Sequence, residues 1–235
     1  MGEAVLFGVV ASAALVIGAV VGCFWVAPRP VLGALLAFAS GALITALAFD
    51  LFEDAFEGGG AWRAGIGLFT GAAVFIAVDT WLDRRMERRA SRGAALGLAL
   101  LAAVTLDGLP ENVALGVSLL GPAGGLTLLV AIFASNFPEA LAGAMAMREG
   151  GRSMRFVVGL WTVAAVLLAA AVVFGWALLR DVEEETLAWP LSFAGGAVLA
   201  SLADTLMPEA YRDAGPATAF ATTLGFLLSF LVSAA

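Results

Sequence analysis

Apolar residues in this chain fall in long, nearly continuous runs. Neither the alternation of a half-buried strand nor the narrow stripe of a surface helix accounts for them. Eight runs cover residues 3–25, 31–56, 61–82, 94–120, 123–147, 156–179, 188–211 and 216–234. Each is near the roughly 20 residues that one helix needs to cross a hydrocarbon core. Between them stand breakers such as Pro28 and Pro30, Gly58 to Gly60, Gly121 and Pro122, Gly150 and Gly151, and Gly215 and Pro216. The pattern predicts an all-α polytopic protein, a single transmembrane domain over residues 1–235 with no soluble domain left over. The first run has no basic flank, only Glu3, and is long enough to span. It is expected to be a retained helix, not a cleaved leader.

Composition sharpens this picture. Hydrophobic residues make up 62% of the chain and charged residues 13%, against roughly 25% charged in soluble domains. The net charge is −7 and there is no lysine, which speaks against a nucleic-acid partner. One cysteine, Cys23, allows no intramolecular disulfide. Ten of the twelve arginines fall on alternate turns: Arg29; Arg84, Arg85, Arg88, Arg89 and Arg92; Arg148, Arg152 and Arg155; Arg212. Arg63 and Arg180 fall on the other side. Positive turns stay cytoplasmic, so both termini are expected on the extracytoplasmic face of a plasma membrane. That face carries Glu3, Glu57, Asp181, Glu183, Glu184 and Glu185. These acids read equally as a mouth that concentrates cations or as solvated loops.

Two internal repeats are visible. Phe38-Ala-Ser-Gly-Ala matches Phe193-Ala-Gly-Gly-Ala, and without a gap Leu47-Ala48 meets Leu202-Ala203 and Asp54-Ala-Phe56 meets Glu209-Ala-Tyr211. Pro110-Glu111-Asn112-Val113-Ala114 matches Pro138-Glu139-Ala140-Leu141-Ala142. In each case the paired helices run in opposite directions, so the expected plan is a 3+2+3 inverted repeat, common in secondary transporters.

Candidate chemistry lies where the fourth and fifth runs reach mid-membrane. Asp107, Glu111 and Glu139 sit near their centres, where one acid costs roughly 2.5–3.5 kcal/mol on insertion scales. The chain has no histidine or lysine, and every arginine lies at a run's end. Such acids must be protonated, hydrogen-bonded or bound to a cation. Asp107 and Glu111 share a helix face, as do Ser135 and Glu139, with Asn136 beside them. Pro110 and Pro138 free the carbonyls of Leu106 and Ala134. Along a cation's path, Asp50, Glu53 and Asp54 line up toward the outer end of the second run, and Asp204 and Glu209 fall in the seventh. For each, interfacial solvation is the competing reading.

Asp107-Gly-Leu-Pro-Glu-Asn112 and Ser135-Asn-Phe-Pro-Glu-Ala140 resemble the two signatures, of the type His-Asn-x-Pro-Glu-Gly, of the ZIP (Zrt/Irt-like) metal transporter family. The resemblance implies a single or binuclear metal site between helices 4 and 5, and import toward the cytoplasm by alternating access. Position by position, Glu111 and Glu139 match the family's glutamates, and Asn136 matches the polar residue beside the helix-5 histidine. Asp107 and Ser135 stand where histidines are usual, Gly108 replaces an asparagine, and Asn112 and Ala140 replace glycines. The expected ligands are therefore Asp107, Glu111, Asn112, Ser135, Asn136 and Glu139. Such an oxygen set favours hard ions or discriminates poorly among zinc, manganese and iron.

Competing classes are a channel or proton-coupled carrier, an intramembrane metalloenzyme, and a non-transporting homologue. Hydrolytic zinc sites mostly use histidine, and no Gly-x-Ser-x-Gly elbow is present, so an enzyme is not expected. The metal is cargo and not a permanent cofactor. Lipid is the other expected partner, and a homodimer is an admissible assembly.

Overall fold

The computed structural model describes residues 1–89, 95–121 and 124–234; within these, the side chains at 83, 85–89, 95–104, 106, 107, 184 and 185 lie outside the description. The arginine-rich turn expected at 84–92 falls largely outside it. The described residues are almost entirely helical: α1 Gly2–Phe24, α2 Arg29–Ala46, α3 Asp54–Arg89, α4 Ala95–Ser118, α5 Leu126–Glu149, α6 Met154–Leu179, α7 Glu184–Ser201, α8 Met207–Ala214 and α9 Thr218–Ser233. Among the described residues, five helical stretches are long and apolar enough to cross a membrane: Gly2–Phe24, Arg29–Leu82, Leu126–Glu149, Met154–Leu179 and Thr186–Ser233.

Two of the five stretches exceed a single crossing. In Arg29–Leu82, Gly60 adopts φ 75° and ψ 167° and breaks the helix there. That conformation is strained for any residue with a β-carbon. In Thr186–Ser233, Gly215 (φ 58°) and a short 3₁₀ turn, Gly215–Ala217, separate α8 from α9. Two further irregularities lie inside helices. α2 passes into a π-helical stretch, Leu47–Glu53, and α7 into another, Leu202–Leu206. Both begin at positions that the sequence repeat aligns, Leu47 and Leu202.

On α1 mostly small residues face inward and large ones outward. On α1 the buried set is Ala4, Gly8, Ala11, Ser12, Ala14, Leu15, Gly18, Ala19 and Gly22, while Val5, Leu6, Val9 and Ile17 are exposed. Soluble domains place large apolar residues inside; helices packed in lipid approach through small ones. On α3, Trp62 and Trp81 are both exposed. Their separation along the helix is about 28 Å at 1.5 Å per residue, close to the roughly 30 Å core whose edges tryptophan favours.

Glycine contacts sort the helices into two groups. Gly41 and Gly225 lock α2 to α9, facing Thr222 and Phe38 backbone; Gly71 and Gly196 lock α3 to α7, facing Phe193 and Leu68 backbone. The two pairings correspond under the repeat, Phe38 with Phe193 and Gly41 with Gly196. In the other group, Gly8 meets Ala169 between α1 and α6, Gly18 meets Phe137 between α1 and α5, and Gly116 and Gly175 join α4 to α6. The two groups meet where α2 packs on α5 and α4 on α7.

At Gly71 and Gly225 a β-carbon would collide with the backbone of the facing helix. Gly71→Val and Gly225→Val are each expected to destabilise the protein by more than the roughly 1–3 kcal/mol of ordinary overpacking, because the obstacle is main chain. Gly65→Val, where the added carbon meets open space, is the control; thermal denaturation in detergent distinguishes them.

Candidate functional site

α4 and α5 carry the two Pro-Glu pairs, and both helices run without interruption through Pro110 and Pro138. Glu111 is 2% exposed. Ser135 Oγ reaches across from α5 to within 3.4 Å of Glu111 Oε2, and it also lies 3.0 Å from the Ile132 carbonyl of its own helix. Its single proton serves one of these acceptors at a time. Glu139, partly buried, follows Ser135 by one turn on the same face of α5. The structure thus joins Glu111 to Ser135 directly and places Glu139 one turn away.

The two asparagines beside these residues are fully enclosed. Asn136 Nδ2 donates to the Ala11 carbonyl of α1 at 3.0 Å. Asn112 Nδ2 donates to the Gly108 carbonyl of α4 at 2.7 Å, while its Oδ1 is buried and accepts no hydrogen bond among the described residues. The Asp107 carboxylate lies outside the described side chains. Among the described residues, no three acidic or thiol side chains converge closely enough to hold a metal ion by themselves.

The residues placed on a cation's path by sequence divide by what they touch. Asp50, on the π-helical stretch after α2, is 1% exposed. Its Oδ2 accepts from the Leu128 N–H of α5 at 3.0 Å, and the Thr127 side chain also bonds it. Leu128 belongs to the first turn of α5, whose N-cap, Gly125, has no side chain to satisfy the orphan amides. Asp50 supplies the cap from another helix. Asp54, half-buried, lies beside Gly121 after α4. Glu53 and Asp204 are exposed. Glu209 pairs with Arg212 at 3.1 Å, and Arg212 also meets Asp213 at 3.3 Å.

Sequence reasoning did not see two of these partners, the α5 amides under Asp50 and the Ala11 carbonyl under Asn136, nor Ser12, whose buried Oγ has no hydrogen-bond partner among the described residues. Met145 Sδ accepts from the Ala27 N–H at 3.4 Å.

No family model matches the chain. It is similar to zinc transporter GufA of Myxococcus xanthus, with 32% identity over 112 residues, 47% of this chain and 44% of GufA. It is also similar to a putative zinc transporter of Arabidopsis thaliana, with 28% identity over 120 residues, 50% of this chain and 19% of that protein. The matched regions span less than half the length of each relative.

Removing the cap under α5 has a defined cost. Asp50→Ala is expected to lower stability by about 1–2 kcal/mol, and Asp50→Asn by less, since its amide oxygen still accepts. Denaturation midpoints in detergent give the comparison; equal losses for both would show that the bond to Leu128 is not what Asp50 contributes.

Proposed function

We propose that this chain is a divalent metal cation transporter of the ZIP kind, crossing the membrane eight times and carrying its cargo toward the cytoplasm through a mid-membrane site between α4 and α5. The observation that carries the reading is Glu111. It is buried at the centre of α4, bridged to α5 by Ser135, one turn from Glu139, in a chain with no lysine or histidine. A divalent ion is the partner that neutralises such a carboxylate while keeping it charged. The names of the two relatives support metal transport and bring in zinc. The oxygen character of the ligands adds manganese and iron to the candidates.

Eight crossings follow if Gly60 divides Arg29–Leu82 and the Gly215–Ala217 turn divides Thr186–Ser233, with α4 as a further crossing. The 3+2+3 inverted plan draws support from the twin π-helical stretches and the paired glycine contacts α2–α9 and α3–α7. The arginine distribution puts both termini outside. Close glycine packing within each helix group, and its absence where α2 meets α5, suits alternating access by movement of α1, α4, α5 and α6 against the rest. In this arrangement Asp50 caps α5 from the opposite group and Asp54 lies close by. Asp204 and Glu209 would stand on the equivalent stretch at the other end of the path. Asp107 would complete the ligand set with Asn112 and Asn136.

Uptake into proteoliposomes tests the reading. Glu111→Gln and Glu139→Gln should each reduce saturable Mn²⁺ or Zn²⁺ uptake to the protein-free background, with insertion intact. Uptake by both variants at the unmodified rate would overturn the site. Asp107→His should move competition between Zn²⁺ and Mn²⁺ toward zinc by roughly tenfold, about 1.4 kcal/mol. An unmoved ratio would take Asp107 out of contact with the ion.

A further inference from the structure

Three dipeptides on three helices meet at one depth. Ser135-Asn136 on α5 bonds Glu111 of Glu111-Asn112 on α4 through Ser135, and bonds Ala11 of Ala11-Ser12 on α1 through Asn136. In both partner dipeptides the second residue is left over: Asn112 Oδ1 and Ser12 Oγ are buried polar atoms with no hydrogen-bond partner among the described residues. Ser12 is 2% exposed and Asn112 0%. The two also converge on one stretch of α6. Ser12 lies one turn from Gly8, which packs on Ala169 and Val172; Asn112 lies one turn from Gly108, which packs on Leu168.

An unmet buried amide oxygen or hydroxyl costs about 1–3 kcal/mol, so two of them, on helices that pack one turn away against the same 168–172 stretch of α6, are expected to have an occupant. A carbonyl oxygen accepts only, and a hydroxyl oxygen has lone pairs to offer. With a carboxylate, such oxygens make up the kind of ligand set that a hard cation takes. We propose that α1 is the third wall of the site, with Ser12 Oγ and Asn112 Oδ1 contacting the cation held by Glu111 and setting its preference for hard ions. This rests on the transport reading above and adds to it a helix that the Pro-Glu motifs do not include.

The test uses the purified full-length chain and the metals alone, Mn²⁺ and Zn²⁺, read by calorimetric titration and by metal-induced thermal stabilisation. Ser12→Ala and Asn112→Leu should each weaken Mn²⁺ binding about tenfold and Zn²⁺ binding less, and Ser12→Thr should restore the manganese preference. Ser12→Cys, which puts a softer atom at the same place, should turn the preference toward zinc. If Ser12 only packs, Ser12→Ala removes an unmet hydroxyl, raises the metal-free melting temperature and leaves both affinities as they were. A buried water between the two residues, with no ion, gives the same unmoved affinities. Either result overturns the inference while Glu111→Gln, by losing both metals, still upholds the transport reading. Retention of both metals by Glu111→Gln overturns that reading and the α1 wall with it. Should Ser12→Ala fail to fold, the Ser12→Cys ratio decides alone: a shift upholds the wall and an unmoved ratio removes it.

Discussion

An ionised carboxylate enclosed among apolar helices has three ways to exist there: lose its charge, collect hydrogen bonds, or hold a cation. Glu111 is in that position, and the chain around it has no lysine or histidine to lend. One neighbour within reach is the Ser135 hydroxyl, 3.4 Å away and shared with a backbone carbonyl. Around that pair stand a second glutamate, Glu139, one turn along α5 from Ser135, and an asparagine oxygen, Asn112 Oδ1, that accepts no hydrogen bond among the described residues.

Small residues make this arrangement attainable. Glycine brings α1 against α5 and α6, and α4 against α6, to backbone contact, and does the same for α2 with α9 and for α3 with α7. Main chain against main chain leaves little freedom within each of these pairings. A polar link from the α2 side to α5 is the Asp50 cap. A carboxylate bonded to the first turn of a helix is held by oriented amides and by the positive end of the helix dipole. That bond ties the π-helical stretch Leu47–Glu53 to the helix that carries Ser135 and Glu139.

Much of this could be read in the chain before any coordinates. The apolar runs marked the helices, and the breakers at Gly60 and Gly215 fell where the long stretches divide. The matched glycine contacts fall at positions that the repeat pairs, Phe38 with Phe193 and Gly41 with Gly196. The π-helical stretches were not legible, because one extra residue per turn leaves no mark in a run that is apolar on every side. Asp50 read as one of several acids near a helix end, since its partner is a backbone amide 78 residues away. Ser12 was lost among the alanines and glycines of α1, where a serine reads as a small packing residue. Asn136 was seen as a ligand from its motif, but its amide already serves the Ala11 carbonyl, a use that motif matching does not reveal.

A crystal structure of the manganese-loaded chain, with anomalous scattering collected for the metal, confronts the central claim most directly. The account predicts an anomalous peak between α4 and α5 with Glu111 and Glu139 among its oxygen ligands. Peaks confined to surface carboxylates such as Glu53 or Asp181, with Glu111 still resting on Ser135 at saturating metal, would contradict it.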